Sequence, residues 1–114
     1  MQTLGVVPRL FPLIESGEKT STIRWREAPI AMGRMRYVCD GVASRTVIVE
    51  VTRVTRMRLD QAAALLGRQD EWPDDVMLEG MREHYPAITL ADEVDVIEHL
   101  TPQETRRRAP RTAG

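Results

Sequence analysis

The sequence predicts an α+β fold, in which a mostly antiparallel, barrel-like sheet of five to six strands is combined with two to three helices. Residues 44–56 form the longest β-like run, with β-branched side chains on alternating faces. Asp40-Gly41, just before this run, is a strong hairpin signal. Two helical patterns follow within 59–86. A long β-branched strand twists strongly, so a curled sheet is favoured over a flat one.

The beginning of the chain predicts a short strand at residues 3–7 and a short helix at 8–16. Leu10, Leu13 and Ile14 fall on one side of this helix, which is therefore expected to face the core. Gly17 follows as a natural helix stop.

Alternation from Thr20 onward predicts a second strand with two chemically different faces. One face carries hydroxyls and guanidinium groups: Thr20, Thr22, Arg24 and Arg26. The other face carries Ser21, Ile23 and Trp25. Guanidinium groups and hydroxyls suit a phosphate or a polar base edge, although a solvated strand face has the same composition.

The rest of the chain completes the sheet and adds a pair of helices. After a loop at 27–32, residues 35–39 alternate with Met35, Tyr37 and Cys39 on one face. The long strand follows, with Val47, Val49 and Val51 on one face.

Asp60 is predicted to be the N-cap of the first helix of the pair, and Pro73 to begin the second. Asp74 and Asp75 suit the positive end of that second helix, and Pro86 is expected to stop it. A last strand at 94–100 ends the domain.

Length and composition indicate one domain at residues 1–100, followed by a basic tail at 101–114 that is expected to be disordered. The tail holds four arginines and one glutamate, a net charge of +3, which leaves −4 on the domain because the whole chain carries −1. An acidic domain with only 4% aromatic residues is not typical of a protein that binds long nucleic acids through charge or stacking.

Cysteine and histidine are too few for a disulfide or a metal site. Cys39 is the only cysteine, and His84 and His99 are the only histidines. No glycine-rich phosphate loop is present, so we expect neither metal nor cofactor. Residues 1–8 lack a basic leader, and no apolar run approaches membrane length, so we expect a cytoplasmic protein without a membrane partner.

Lys19 is the most unusual residue of the chain, because it is the only lysine beside fifteen arginines. Arginine stays protonated, whereas a partly desolvated lysine can lose its proton and act as a base. A surface lysine that survived a drift toward arginine is the alternative interpretation.

The pattern Gly17-x-Lys19-Thr20-x-Thr22-x-Arg24 resembles the ASCH domain, a relative of the PUA-like RNA-binding modules. The resemblance spans residues 8–100 and includes the helix pair that ends in Tyr85-Pro86. It is greatest to a small bacterial branch that acts as an amidohydrolase on N4-acetylcytidine.

The resemblance implies a catalytic set of Lys19, Thr22 and Asp70. Two departures stand out: Gly33-Arg34 replaces the usual Gly-Asp, and the acid is Asp70 rather than glutamate, with Glu71 beside it. In an amidohydrolase Thr22 would be the nucleophile, Lys19 its base, and Asp70 the group that holds the lysine. The residues that would contact the substrate are Thr20, Arg24, Trp25, Arg26 and Glu71.

Two alternatives use the same residues without amide hydrolysis. One is a PUA-like module that binds RNA or a nucleotide, with the arginine tail adding affinity, and the other is RNA cleavage. The amidohydrolase hypothesis carries a geometric requirement, because residues three apart in a straight strand point to opposite faces. The motif strand must therefore begin after Lys19.

Overall fold

The computed structural model describes residues 1–108, which contain five strands and four helices. In chain order these elements are β1 (Gln2–Val6), α1 (Phe11–Ser16), β2 (Ser21–Arg24), β3 (Gly33–Cys39), β4 (Val42–Arg58), α2 (Leu59–Leu65), α3 (Asp74–Arg82), β5 (Glu93–His99) and α4 (Pro102–Arg107).

The five strands form one mixed sheet in the order β1-β3-β4-β5-β2. Strand β1 is parallel to β3, and β3 is antiparallel to β4. Strand β5 also runs antiparallel to β4, since Leu100 N–H donates to the Glu50 carbonyl while Leu59 N–H donates to the Asp92 carbonyl. The predicted α+β class and the five strands are confirmed, but residues 1–108 contain four helices rather than two or three.

The chain divides into two compact units. The first comprises residues 1–22, 30–54 and 97–108, and the second comprises 23–29 and 55–96. Strands β2, β4 and β5 contribute residues to both units. Each unit has a hydrophobic cluster of its own.

The core of the first unit follows the alternation that the sequence predicts. Met35, Tyr37 and Cys39 of β3 are buried, as are Val49 and Val51 of β4. In the register of the two strands, Met35 faces Val49 directly. Side chains on one face of neighbouring strands pack across the pair, so this alternation defines the buried face of the sheet.

Helix α1 joins this core through Phe11 and Ile14, which are fully buried. The expectation for Leu13 is wrong, because its side chain is 37% exposed. The helix begins at Phe11 rather than Pro8, and Phe11 and Ile14, three residues apart, therefore share the inner face.

The core of the second unit is formed by α2 and α3 with the apolar residues around them. Leu59 and Ala62 of α2 are fully buried, and Met77 and Met81 of α3 are almost fully buried. The second helix begins at Asp74, with Pro73 as its N-cap rather than in its first turn. Asp74 and Asp75 lie in the first turn as predicted. It ends at Arg82, before the predicted stop at Pro86.

The prediction that Asp60 is an N-cap is wrong. Helix α2 begins at Leu59, directly after β4, and its N-cap is Arg58. Asp60 lies in the first turn, where its carboxylate accepts hydrogen bonds from the Arg58 guanidinium at 3.2 and 2.8 Å. A carboxylate in a first turn also interacts favourably with the helix dipole.

The tail predicted to be disordered contains helix α4, so the prediction is wrong for residues 101–108. Thr101 and Glu104 form a capping box, in which each side chain accepts a hydrogen bond from the other residue's backbone N–H. Pro102 and Thr105 are buried. The Thr105 hydroxyl accepts a hydrogen bond from Glu50 N–H on β4 at 2.9 Å. Residues 109–114 of the predicted tail lie outside the described residues.

We expect Thr105→Val to destabilise the fold, because it leaves Glu50 N–H without its acceptor while keeping the side-chain volume. An unsatisfied donor of this kind costs about 1–3 kcal/mol. Urea unfolding followed by circular dichroism measures the change. Thr46→Val is the matched control on an exposed site of β4, where we expect a change within about 0.5 kcal/mol. Equal stability of the two variants would contradict a role for α4 in holding β4.

Candidate functional site

The loop that carries Lys19 is fixed at the end of α1. Gly17 caps the helix in the left-handed conformation, with φ of 88°, which a residue with a Cβ adopts only at a cost. Lys19 N–H then donates to the Leu13 carbonyl at 2.9 Å. Strand β2 begins at Ser21, so Lys19 lies outside the strand. The first geometric requirement of the amidohydrolase hypothesis, that the strand begins after Lys19, is therefore met.

The Lys19 side chain turns back over the start of β2. Its Nζ donates to the Ser21 carbonyl at 2.6 Å in a partly buried position. The next residue, Thr22, is one of three buried polar or charged residues among residues 1–108, with 6% of its surface exposed. The lysine ammonium group therefore contacts the backbone of the residue that directly precedes Thr22, and both residues belong to the first unit.

His99 is a second buried polar residue of the same unit, with 5% exposure. Its Nδ1 lies 2.7 Å from the Leu100 carbonyl, and its Nε2 lies 2.9 Å from the Tyr37 hydroxyl. A carbonyl oxygen only accepts hydrogen bonds, so Nδ1 carries the proton. In the neutral ring Nε2 is then an acceptor, and the Tyr37 hydroxyl donates to it.

The surroundings of His99 favour this neutral form. Burial lowers the pKa of His99 below its ordinary value of 6.5, and the positive charge of Lys19 lowers it further, while the Leu100 carbonyl opposes both effects. The ring is therefore uncharged at neutral pH.

The backbone of His99 also holds the lysine loop. His99 N–H donates to the Thr20 carbonyl at 2.9 Å, which joins the end of β5 to the residue after Lys19. Sequence reasoning did not assign a role to His99 or Tyr37. The two residues are 62 positions apart, and no local pattern pairs them. Their only sequence signal is that His99 is one of two histidines and that Tyr37 shares one face of a predicted strand with Met35 and Cys39.

Trp25 and Arg26 belong to the second unit and lie beyond the end of β2, which stops at Arg24. Trp25 packs against that unit's hydrophobic cluster. The Trp25 and Tyr85 rings meet edge to face, with their centroids 6.0 Å apart. Arg26 has φ of 55°, the only positive φ of a non-glycine residue among residues 1–108. Its guanidinium lies 4.3 Å from the centre of the Trp25 ring.

Glu27 contacts two further residues of the second unit, Arg24 and Tyr85. It forms an ion pair with Arg24 at 3.5 Å and accepts a hydrogen bond from the Tyr85 hydroxyl. Burial raises the pKa of Tyr85 to about 12, and the hydrogen bond and charge of Glu27 act in the same direction. Tyr85 therefore stays protonated and continues to donate throughout the physiological range.

The predicted acids lie on the connection between α2 and α3 in the second unit. Asp70 and Glu71 are both exposed. Glu71 accepts a hydrogen bond from the Arg68 guanidinium at 2.9 Å, and its side chain is 63% exposed. Neither carboxylate is buried by the other residues of the second unit.

Residues 1–108 contain neither a metal-binding cluster nor a membrane-spanning helix. No group of three or more histidine, cysteine, aspartate or glutamate side chains in this range could hold a metal ion. Within the same range, no helix is long and apolar enough to cross a membrane.

Comparison with known proteins identifies neighbours at the level of structure. No protein-family model matches the chain, and no curated protein matches it. Two crystal structures of mutant ZmASCH proteins from Zymomonas mobilis are similar in fold, with TM-scores of 0.63 and 0.64. The sequences are 13% identical in both comparisons. The chain has the ASCH fold.

The ASCH-type likeness covers most of this chain but less of its neighbours. It spans 85% and 86% of this chain, and 65% and 67% of the two ZmASCH chains. The predicted ASCH-type fold class is thereby confirmed. At this level of identity the similarity establishes the fold and assigns no activity.

The buried His99 gives this ASCH fold a defined pH dependence. The folded state favours the neutral ring, so its pKa is lower than in the unfolded chain. The stabilisation is present above the ordinary value of 6.5 and is lost as pH falls below it. We expect the free energy of unfolding, measured in urea between pH 7.5 and 5, to fall more steeply in the wild type than in His99→Gln.

His84→Gln serves as the control for this experiment, because His84 is the other histidine and is exposed. It should retain the pH dependence of the wild type. Parallel curves for the wild type and His99→Gln would show that His99 is not the group responsible.

Proposed function

We propose that this protein belongs to the ASCH family and hydrolyses an acyl amide on a nucleoside, with N4-acetylcytidine as the model substrate. The observation that carries the proposal is the position of Lys19. Its side chain leaves the loop before β2 and places Nζ on the Ser21 carbonyl, next to the buried Thr22. A lone lysine that is held on the backbone directly before a buried threonine suits proton transfer better than simple charge pairing.

The chemistry assigns one step to each group. Thr22 Oγ1 attacks the acyl carbon, and the neutral form of Lys19 takes the hydroxyl proton. The carbon–nitrogen bond then breaks, and Lys19 returns the proton to the departing amine nitrogen. Water attacks the resulting threonine ester, which releases the carboxylic acid and restores the hydroxyl. The resemblance implies Asp70 as the third group of the catalytic set, with Glu71 as the substitute.

We assign the contacts with the substrate to Thr20 and to residues 24–26. Arg24 is partly buried and already paired with Glu27, so its guanidinium is oriented. Trp25 is the candidate to stack on the ring of a base. The Arg26 guanidinium already lies over the Trp25 ring, 4.3 Å from its centre. These groups suit a planar base with polar edges. The Thr20 carbonyl accepts a hydrogen bond from His99 N–H. The Thr20 hydroxyl is a further polar group that could contact the substrate.

A second candidate, a PUA-like module that binds RNA or a nucleotide without chemistry, is favoured by a different observation. Asp70 and Glu71 are exposed, and Glu71 is paired with Arg68. A carboxylate in water tunes a lysine weakly, because solvent screens its charge. RNA cleavage at the same residues is the third outcome that the assays must separate.

We expect Lys19→Arg to abolish hydrolysis of N4-acetylcytidine and to leave the melting temperature nearly unchanged. The substitution keeps the positive charge and the hydrogen bond to Ser21, while it removes the capacity to give up a proton. Product release measured by chromatography, beside thermal unfolding, provides the test. Retained turnover in Lys19→Arg would contradict the assignment of Lys19 as the base.

Matched variants assign the other groups in the same assay. Thr22→Val removes the nucleophile at constant volume, whereas Thr22→Ser keeps a hydroxyl and should keep part of the activity. Asp70→Asn and Glu71→Gln each remove one acid. If neither variant changes the rate of hydrolysis, neither Asp70 nor Glu71 takes part in the reaction. Nucleoside binding by the wild type without any product would favour the binding module.

The arginines of α4 allow a separate test of RNA binding. Removal of the whole segment from Thr101 would also remove the hydrogen bond of Thr105 to β4, so point variants are needed. Arg106, Arg107 and Arg108 are exposed. If they bind RNA phosphates, changing all three to Gln should weaken affinity for single-stranded RNA. The salt slope should become shallower by about 0.7 for each arginine that had neutralised a phosphate. An unchanged slope would exclude these arginines as the electrostatic binding site.

A further inference from the structure

The segment that carries Lys19 is held by backbone hydrogen bonds on both sides. On the N-terminal side, Lys19 N–H donates to the Leu13 carbonyl on α1. On the C-terminal side, the Thr20 carbonyl accepts a hydrogen bond from His99 N–H. Between these two bonds the backbone of Lys19 has little freedom. Whatever fixes His99 therefore fixes one of the two supports of the lysine.

The His99 ring is itself held at both nitrogens inside the first unit. Nδ1 donates to the Leu100 carbonyl and Nε2 accepts from the Tyr37 hydroxyl. The two rings also meet edge to face, with centroids 5.3 Å apart. An imidazole with both nitrogens bonded in a buried position has one orientation, because any rotation leaves a polar atom unsatisfied.

We propose that Tyr37 and His99 are positioning residues for Lys19: the locked imidazole fixes the end of β5, and that strand end fixes the loop from which the lysine reaches Ser21. The catalytic part of this inference rests on the proposed function. The positioning part concerns the structure alone and is tested without substrate.

The charged and titratable groups that face the ring come from two elements. Tyr37 on β3 donates to Nε2, and Lys19 in the loop before β2 acts through its charge. If the ring gains a proton, Nε2 becomes a donor and the Tyr37 hydroxyl must turn to accept. The positive charge of Lys19 also disfavours a second positive charge on the ring. The neutral ring is thus the form that matches the contacts in the structure.

The composition of the chain supplies a direct probe of this arrangement. Because Lys19 is the only lysine, isotope-labelled lysine gives one side-chain signal by NMR. Labelled histidine gives two rings, and His84→Gln identifies the signal of His99. In the wild type at neutral pH we expect the nitrogen shifts of His99 to report a proton on Nδ1 and none on Nε2.

The decisive variants are Tyr37→Phe and His99→Gln, with His84→Gln as the control. We expect both variants to move the Lys19 signal and to lower kcat about 10- to 100-fold with KM nearly unchanged, because a small displacement of a catalytic group has this effect. The control should leave the signal and both kinetic constants unchanged. Tyr37→Phe removes only an oxygen, so it is the variant of choice if His99→Gln fails to fold.

The outcomes separate this inference from the proposed function. A Lys19 signal that stays in place in folded Tyr37→Phe overturns the positioning role, as does a wild-type His99 with its proton on Nε2. An unchanged kcat in the same variant overturns the catalytic consequence. If the wild type hydrolyses no amide but the Lys19 signal moves in both variants, the proposed function is wrong and the positioning role stands.

Discussion

The hydrogen bonds of His99 are the constraint on which the candidate site depends. A buried imidazole must satisfy both nitrogens, and the Tyr37 hydroxyl and the Leu100 carbonyl do so. The same residue's backbone ties β5 to Thr20, and its neighbour Leu100 ties the chain to Glu50 on β4. The end of β5 therefore connects β4 with the loop that carries Lys19. A polar network of this kind has one low-energy arrangement, which suits a site where a lysine must be held in place.

Arg34, one of the two departures from the ASCH pattern noted in the sequence, lies opposite Glu50 in the register of β3 and β4. Its Nε is 3.8 Å from the Glu50 carboxylate, so its positive charge faces a carboxylate. The Nη2 atom of the same guanidinium is buried without a hydrogen-bond partner among residues 1–108. Glu50 N–H also donates to the Thr105 hydroxyl of α4.

The larger part of the fold could be predicted from local patterns. Alternation identified the inner faces of β3 and β4, and Gly17 and Asp40-Gly41 marked a helix end and a hairpin. Errors occurred where local signals compete. The basic run at 106–108 resembles a disordered tail, although Thr101 and Glu104 form a capping box that begins a helix. Asp60 has the chemistry of an N-cap but follows a strand that continues directly into the helix.

The sequence by itself determined that Lys19 is unique, that a glycine precedes it and that a β-branched strand follows it. These properties depend on composition and on near neighbours, so they can be read without coordinates. Only the tertiary structure decided that Lys19 Nζ meets the Ser21 carbonyl, that Thr22 is buried, and that the acids at 70 and 71 are exposed. It also paired His99 with Tyr37, because contacts between residues 62 positions apart depend on how strands are ordered in a sheet, and no local preference encodes that order.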